Sequence, residues 1–249
     1  MGRDATARIV SLAMIVGLWV VAAALTADPS ILPAPWTLLG PLGRELASGE
    51  LLFHLSQTLV RVAWAFVLAM SVGIALGYVM GTNREVDRWL DPWLVVFLNL
   101  PALVLIVLCY LWIGLNEMAA IIAVTLNKIP NVVTIVREGA RSLDPELSAM
   151  ARVYRMTRMA QLRHVVLPQL APYIAAAARG GVAVIWKIVL VVEFLGRSNG
   201  IGFKIHMYFQ LFNVAMVLIY ALSFVVVMLL IESAVLQPWE ARVRRWRTA

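Results

Sequence analysis

Charged residues are scarce in this sequence, and their scarcity is the first constraint on the fold. Only 14% of the 249 residues are Asp, Glu, Lys or Arg, whereas 62% are hydrophobic. A soluble domain has about 25% charged and about 45–50% apolar residues. Too few polar side chains remain to cover a surface that faces water, which excludes a soluble globule, a disordered chain and a fibrous repeat. The excess apolar surface must face lipid.

Several chemical motifs are also missing. The single cysteine, Cys109, cannot form an internal disulfide, so the redox compartment stays open. No G-x-x-x-x-G-K-[ST] segment occurs, so the chain has no loop of this kind to cradle ATP phosphates. The three histidines, His54, His164 and His206, fall on separate segments without metal-ligand spacing. We therefore expect no enzymatic site, no metal site and no cofactor in this chain itself.

Long apolar segments, in contrast, are abundant, and each can cross a hydrocarbon core about 30 Å thick. The segment 118–136 carries Lys128, and the segment 171–192 carries Arg179 and Lys187. The segment 9–27 is longer than the apolar core of a secretory signal, about 7–15 residues, so we expect it to be retained. We predict an all-α membrane protein, one transmembrane domain over residues 1–249, with six helices at 9–27, 60–81, 92–114, 118–136, 171–192 and 211–231.

The distribution of basic residues predicts the orientation in the membrane. The chain has 21 basic and 14 acidic residues, a net charge of +7. With the N-terminus inside, fourteen basic residues lie on cytoplasmic segments, three on the opposite side and four within the spans. Lys and Arg concentrate on cytoplasmic loops, so we predict that both termini are cytoplasmic. Topology and anionic lipid then account for the positive charge, which removes the argument for nucleic-acid binding.

The longest predicted cytoplasmic segment, residues 137–170, carries helix signals and is called the coupling loop below. Asp144 is a suitable N-cap, Pro145 suits the first helical position, and Glu146 suits the positive end of a helix. These residues predict a short helix that runs to about Arg155.

A second short helix is predicted in the same loop. Thr157 can cap a helix over residues 158–165, and Leu167-Pro168 would end it. The pair of helices has two interpretations from the residues alone. It is either a membrane-surface hairpin whose arginines bind lipid headgroups, or a docking element for a soluble partner.

The coupling loop resembles a segment of the permease subunits of binding-protein-dependent ABC importers, in particular the nitrate/taurine/aliphatic-sulfonate branch. Those permeases carry the pattern E-A-A-x3-G-x9-I-x-L-P. Here Ala149 replaces the glutamate, Met150 the first alanine and Arg155 the glycine, whereas the second alanine, Ala151, and Leu167-Pro168 remain. Further similarity runs through most of the chain, at residues 32–35, 49–62, 73–81, 112–114, 139–145, 192–193 and 200–202.

This resemblance implies a type I ABC importer permease in the bacterial inner membrane. It implies a permease dimer, with a homodimer favoured over a heterodimer, an ABC ATPase subunit on each coupling loop, and an external solute-binding protein that delivers the substrate. ATP and Mg would be bound by the ATPase and not by this chain. The residues expected to dock the ATPase are Asp144, Glu146, Ala149, Met150, Ala151, Arg152, Arg155, Thr157 and Arg158.

Charged residues inside the membrane are costly and are therefore candidate functional residues. Lys128 and Lys187 lie near the middle of their spans, and we predict that they and Glu193 line a path for a small anionic solute. The alternative is that a lysine forms a buried pair with Glu193 or a backbone carbonyl. Arg61 and Arg179 lie near span ends, where their side chains can reach the interface.

Three other classes of function are alternatives for a membrane protein of this composition. A secondary transporter driven by protons or sodium is an alternative, although the internal repeats common in that class are not evident. A membrane scaffold without transport is a second alternative. A membrane hydrolase is disfavoured because Ser71 and Ser223 have no histidine at a matching depth. Association with an ATPase would select the importer.

Overall fold

The structure is a computed structural model that describes residues 2–236 and residue 238. Four of the fourteen basic residues assigned to the predicted cytoplasmic side, Arg242, Arg244, Arg245 and Arg247, lie outside the described residues. The described residues form eleven α-helices, with short 3-10 and π turns: α1 Gly2–Thr26, α2 Leu39–Ala47, α3 Glu50–Thr82, α4 Arg84–Asn99, α5 Ala102–Ile113, α6 Glu117–Arg141, α7 Pro145–Val153, α8 Arg158–Gln161, α9 Leu167–Gly196, α10 Ile201–Gln210 and α11 Val214–Ile231.

The core of the fold is a bundle of α3, α6 and α9. Glycines every four residues on α3 let it lie directly against α6. A Cβ on Gly73 would stand 2.6 Å from Val132 Cβ, and one on Gly77 would stand 2.9 Å from the carbonyl oxygen of Val133. The glycine spacing therefore serves helix packing, as the sequence indicated.

The bundle has two ends that carry different features. One end contains the start of α3, the start of α6 and the end of α9, together with α10, and is called the network end because a network of ion pairs joins these helices there. At the loop end lie the end of α6, the coupling loop and the start of α9.

The predicted third span, 92–114, is not one straight helix. It is divided between α4 and α5, whose axes differ by 99°. The break falls at Leu100-Pro101, where Leu100 has extended backbone angles. The ring of a proline disfavours helical geometry in the residue before it, so the local sequence explains the bend.

Four helices of the described chain are long and apolar enough to cross a membrane, or five if α4 and α5 together form one span. The apolar part of α1, Ala13–Thr26, is shorter than these four. The expected count of six spans and the cytoplasmic position of both termini therefore stay predictions.

The second short helix of the coupling loop does not end where the sequence predicted. Helix α8 passes through a π turn, Leu162–Val166, directly into α9. The result is one helical rod from Arg158 to Gly196, 39 residues and about 58 Å long at 1.5 Å per residue. Pro168 lies in the first turn of α9, where its missing N–H costs little, so Leu167-Pro168 does not break the rod.

Candidate functional site

Helix α7 begins as the sequence predicted. The Asp144 carboxylate accepts a hydrogen bond of 2.7 Å from the backbone N–H of Glu146, and Pro145 occupies the first turn. The backbone N–H of Asp144 in turn donates to the Gln169 side chain at 2.9 Å. The start of α7 is therefore tied to the first turn of α9, the helix that crosses the bundle.

Helix α7 ends at Val153, two residues before the predicted boundary, in a tight C-terminal motif. The N–H of Met156 donates to the carbonyl of Ala151, and the N–H of Arg155 donates to that of Arg152, both at 3.0 Å. Arg155 has a φ of 51°, the left-handed conformation that this motif requires after a helix. The turn therefore keeps the geometry that a glycine favours, although its residue is arginine.

Thr157 begins α8 as predicted, because its hydroxyl accepts a hydrogen bond of 3.3 Å from the N–H of Ala160. The residues around this turn are apolar and open to solvent. Val153 is 80% exposed, Tyr154 76% and Met159 71%. Exposed apolar patches of this kind mark contact with a protein partner or with a membrane.

The nine predicted docking residues do not all have the same position on the loop. Ala151 is buried and packs the loop, and Ala149 is half-buried. The remaining residues are exposed on the surface of the loop: Asp144, Glu146, Met150, Arg152, Arg155, Thr157 and Arg158.

The three residues predicted to line the solute path lie in different surroundings. Lys128 is buried in the middle of α6, with only 4% of its surface exposed. Lys187 is exposed on α9, and its Nζ lies 5.7 Å from the centre of the Trp186 ring. Glu193 is completely buried near the end of α9. The path residues therefore do not form one cluster.

Glu193 belongs to a buried ion-pair network and not to an open surface. Its Oε1 accepts a hydrogen bond of 2.6 Å from Nη1 of Arg61, which is 3% exposed. Its Oε2 accepts hydrogen bonds of 2.9 Å from the Thr58 hydroxyl and the N–H of Gly202. Both carboxylate oxygens are thus occupied. The pairing of a lysine with Glu193, which the sequence left open, does not occur, because arginine holds this position.

Arg61 joins this network to α6. Its Nε and Nη2 donate to the two Glu117 carboxylate oxygens at 2.7 Å and 2.6 Å. It also donates to the carbonyl and side chain of Asn199, and Arg197 donates to Glu117 at 2.5 Å. Two cations and two carboxylates therefore alternate across the starts of α3 and α6 and the end of α9.

The segment after α9 folds tightly over this network because residue 200 is a glycine. Gly200 has a φ of 108°, which side-chain-bearing residues rarely adopt, and a Cβ there would overlap the Glu193 carboxylate. Its N–H donates to Nδ1 of His54 at 2.9 Å, and the N–H of Ile201 donates to the Thr58 hydroxyl at 2.8 Å. We call the set His54, Thr58, Arg61, Glu117, Glu193, Arg197 and Asn199 the ion-pair network.

Sequence reasoning missed most of the ion-pair network. The position of Arg61 near a span end allows its side chain to reach the interface, but the structure instead buries it and binds it to two carboxylates. Charge inside an apolar span was the available signal, but the partner Glu193 lies 132 residues away along the chain. Pattern and periodicity do not pair residues at that separation.

The chain is similar in sequence to permease subunits of several transport systems. Residues 69–237 match the family described as the inner membrane component of binding-protein-dependent transport systems. The protein named SsuC of Bacillus subtilis, whose name refers to transport of aliphatic sulfonates, is 29% identical over 95% of this chain and 86% of its own. The Escherichia coli taurine transport system permease protein TauC is 28% identical over 82% of this chain and 77% of its own.

A third relative and two solved structures extend these matches. The bicarbonate transport system permease protein CmpB of Synechococcus elongatus is 31% identical over 74% of this chain and 68% of its own. An amino acid ABC transporter structure with histidines matches the fold with a TM-score of 0.64 and 21% identity, over 81% of this chain and 97% of that one. An inward-facing structure of the MetNI methionine transporter matches with a TM-score of 0.62 and 22% identity, over 82% and 97% of the two chains.

Proposed function

Because the chain belongs to the family of inner membrane components of binding-protein-dependent transport systems, we propose that it is the permease subunit of an ATP-driven importer for a small anionic solute of the sulfonate, taurine or nitrate type. The relatives named for sulfonate, taurine and bicarbonate transport support the class of solute. The expected topology is six spans with both termini in the cytoplasm of a bacterium. The proposed assembly is a dimer, with a homodimer favoured over a heterodimer.

The coupling loop carries this proposal. It presents Val153, Tyr154 and Met159 to solvent, and a partner that covers them would gain the free energy of their burial. The proposed partner is an ABC ATPase, which binds ATP and Mg²⁺ in its own fold, so this chain needs no nucleotide site. The arginines of the loop then complement the partner surface and not only lipid headgroups.

The continuous rod of α8 and α9 gives the loop a mechanical role. A displacement of α8 by the ATPase passes along a helix of 39 residues to the ion-pair network at the opposite end of the bundle. A flexible linker would absorb such a displacement, whereas a hydrogen-bonded helix transmits it. The π turn Leu162–Val166 lies at the junction of loop and rod, and π turns within helices are frequent at functional sites. Alternating access would follow from the movement of this rod in each copy.

In this proposal an external binding protein delivers the solute, and Lys128 and Lys187 favour a negative charge along the path. Glu193 has its charge neutralised by Arg61 and both oxygens occupied, so its role is to hold α9 at the network end. We therefore keep the two lysines in the proposed path and assign Glu193 to the support of the helix bundle.

The test combines the purified chain with its cognate ABC ATPase and external solute-binding protein in proteoliposomes, and it measures ATPase binding and ATP-dependent uptake. The double variant Val153→Asp and Met159→Asp should weaken ATPase binding by about tenfold or more, because two apolar contacts become charged. The control Leu39→Asp changes an equally apolar, 66% exposed residue of α2 and should leave ATPase binding unchanged. Uptake driven by protons or sodium, without the ATPase, would instead favour a secondary transporter.

A further inference from the structure

The middle of α6 contains polar side chains that have no partner. Lys128 is the twelfth of 25 residues in this helix and is almost completely buried. Its ammonium forms no hydrogen bond or ion pair with any described residue. One turn earlier, the hydroxyl of Thr125 is buried and equally without a hydrogen-bond partner. Residues three apart on a helix are neighbours, so the two groups share one region of the surface of α6.

This region separates two hydrophobic clusters of the bundle. On the network side, α6 packs through Ala119–Val124, and on the loop side it packs through Val132 and Val136 against Ala177 and Ala178. Lys128 lies between them. A Cβ on Gly181 of α9 would be 3.3 Å from Lys128 Cε and 3.6 Å from the Phe66 ring.

Gly181 therefore makes room for the lysine stem at this level of the bundle. We call Thr125, Lys128, Gly181 and Phe66 the mid-span layer. It is a position where the apolar packing of three helices is interrupted by a charge.

The adjoining face of α6 is polar and open. Asn127 is half-buried and Asn131 is exposed, and neither amide has a side-chain hydrogen bond to a described residue. Unsatisfied amides are costly in hydrocarbon, and ionisable residues in spans face the interior of a bundle or a water-filled cavity. The face that carries Asn127 and Asn131 is therefore expected to border water and not lipid tails.

No carboxylate of the described chain neutralises Lys128. Glu193 is bound to Arg61, and Glu117 is bound to Arg61 and Arg197, all at the network end. The acidic residues that face α6 at the loop end, Asp87 and Asp91, are bound to Arg137 and Arg141. The positive charge of the mid-span layer is left for a mobile anion.

We propose that the mid-span layer is a binding site for the negatively charged group of the transported solute, an oxyanion that pairs with the Lys128 ammonium and accepts a hydrogen bond from the Thr125 hydroxyl. The side-chain amides of Asn127 and Asn131 line the water-filled route to the layer and form hydrogen bonds with the oxyanion as it passes. This inference rests on the proposed function as a permease and adds the residues that select the charge of the solute.

The test uses charged thiol reagents as probes of the full-length chain in lipid nanodiscs. The variant Asn131→Cys, in a Cys109→Ser background, is treated with an anionic methanethiosulfonate, which carries a sulfonate group, and separately with a cationic one. Each rate of cysteine modification is divided by the rate at which the same reagent modifies a small free thiol in solution. The anionic reagent should react faster by about tenfold or more, the low end of the effect of a cleft lined by one sign of charge.

Substitution of Lys128 decides the origin of that preference. Lys128→Gln should abolish it and Lys128→Arg should retain it, whereas Arg84→Gln, which removes an equal charge from an exposed residue at the loop end, should leave it unchanged. The proposal is overturned if the folded chain shows no reaction at Asn131→Cys, or if the preference is absent or survives in Lys128→Gln.

Uptake by the assembled transporter separates this inference from the proposed function. If ATP-driven uptake is observed but the preference for the anionic reagent is absent, the mid-span layer is not the site although the chain is a permease. If the preference depends on Lys128 but no ATPase binds, the proposed function fails and the anion site stands.

Discussion

The two ends of the α3–α6–α9 bundle differ in how deeply they bury their charged groups. At the network end, Arg61 and Glu193 are buried and each is bound to several partners. At the loop end, apolar side chains such as Val153 and Tyr154 are exposed, and the ion pairs of Arg141 are partly open to solvent. The buried charges of the network end are therefore paired within the described chain, whereas the ion pairs of Arg141 at the loop end are shared with solvent.

This difference indicates which end the chain itself holds in place. A buried ion pair constrains geometry because removal of either partner leaves an uncompensated charge. Exposed pairs are screened by water and contribute little. The network end therefore constrains the relative positions of α3, α6 and α9 more strongly than the loop end does.

The largest expected effect comes from breaking the network end. Glu193→Ala should destabilise the protein by about 3–5 kcal/mol, because Arg61 loses a buried counter-charge and Thr58 and Gly202 lose an acceptor. Unfolding in detergent by titration with denaturant measures this change. The matched control Glu138→Ala removes an exposed carboxylate of the loop end and should cost less than about 1 kcal/mol. Equal losses for the two variants would contradict the difference between the ends.

The next effect concerns the packing that joins the two ends. Gly77→Ala should cost about 1–3 kcal/mol, because the added Cβ would lie 2.8 Å from Val136 Cβ and 2.9 Å from the Val133 carbonyl. Gly43→Ala in α2, where a Cβ meets nothing within 4 Å, should be neutral or stabilise by up to about 1 kcal/mol. The same unfolding titration measures both. A neutral Gly77→Ala would show that α3 and α6 are less closely packed than described.

A smaller effect is expected when the coupling loop loses its N-cap. Asp144→Ala should destabilise α7 by about 1 kcal/mol, because the N–H of Glu146 loses its acceptor. Faster hydrogen exchange of the α7 amides, with little change in global unfolding, is the expected observation. Ser148→Ala, which removes a weak hydrogen bond of 3.3 Å on the same helix, should leave exchange nearly unchanged. Unaltered exchange in Asp144→Ala would contradict the capping role.

The smallest expected effect is a gain in the stability of the loop end and not a loss. Arg155→Gly should stabilise the loop by up to about 1 kcal/mol, because glycine adopts the left-handed conformation without steric cost. Arg152→Gly, at the penultimate residue of α7, should instead destabilise the helix by about 0.5–1 kcal/mol. Hydrogen exchange of the α7 amides measures both changes, because exchange slows when the helix is stabilised and becomes faster when it is destabilised. Destabilisation by Arg155→Gly would mean that the arginine side chain contributes more than its backbone costs.

The local signals in the sequence were reliable where a feature depends on neighbouring residues. The N-caps at Asp144 and Thr157 and the glycine spacing on α3 are confirmed. The end of the second loop helix differs from the prediction, because Leu167-Pro168 does not terminate the helix. In the structure Pro168 occupies the first turn of α9, which tolerates proline, and the π turn before it carries the chain through.

By itself, the sequence determined that the chain is helical, apolar enough for lipid, and equipped with a capped loop, since these properties follow from composition and from residues within one or two turns. Only the tertiary structure decided that Arg61 binds Glu193, that Lys128 has no counter-charge among the described residues, and that α8 and α9 form one rod. The physical reason is that the energy of a buried charge depends on which distant groups surround it, and that information exists only once the helices are packed.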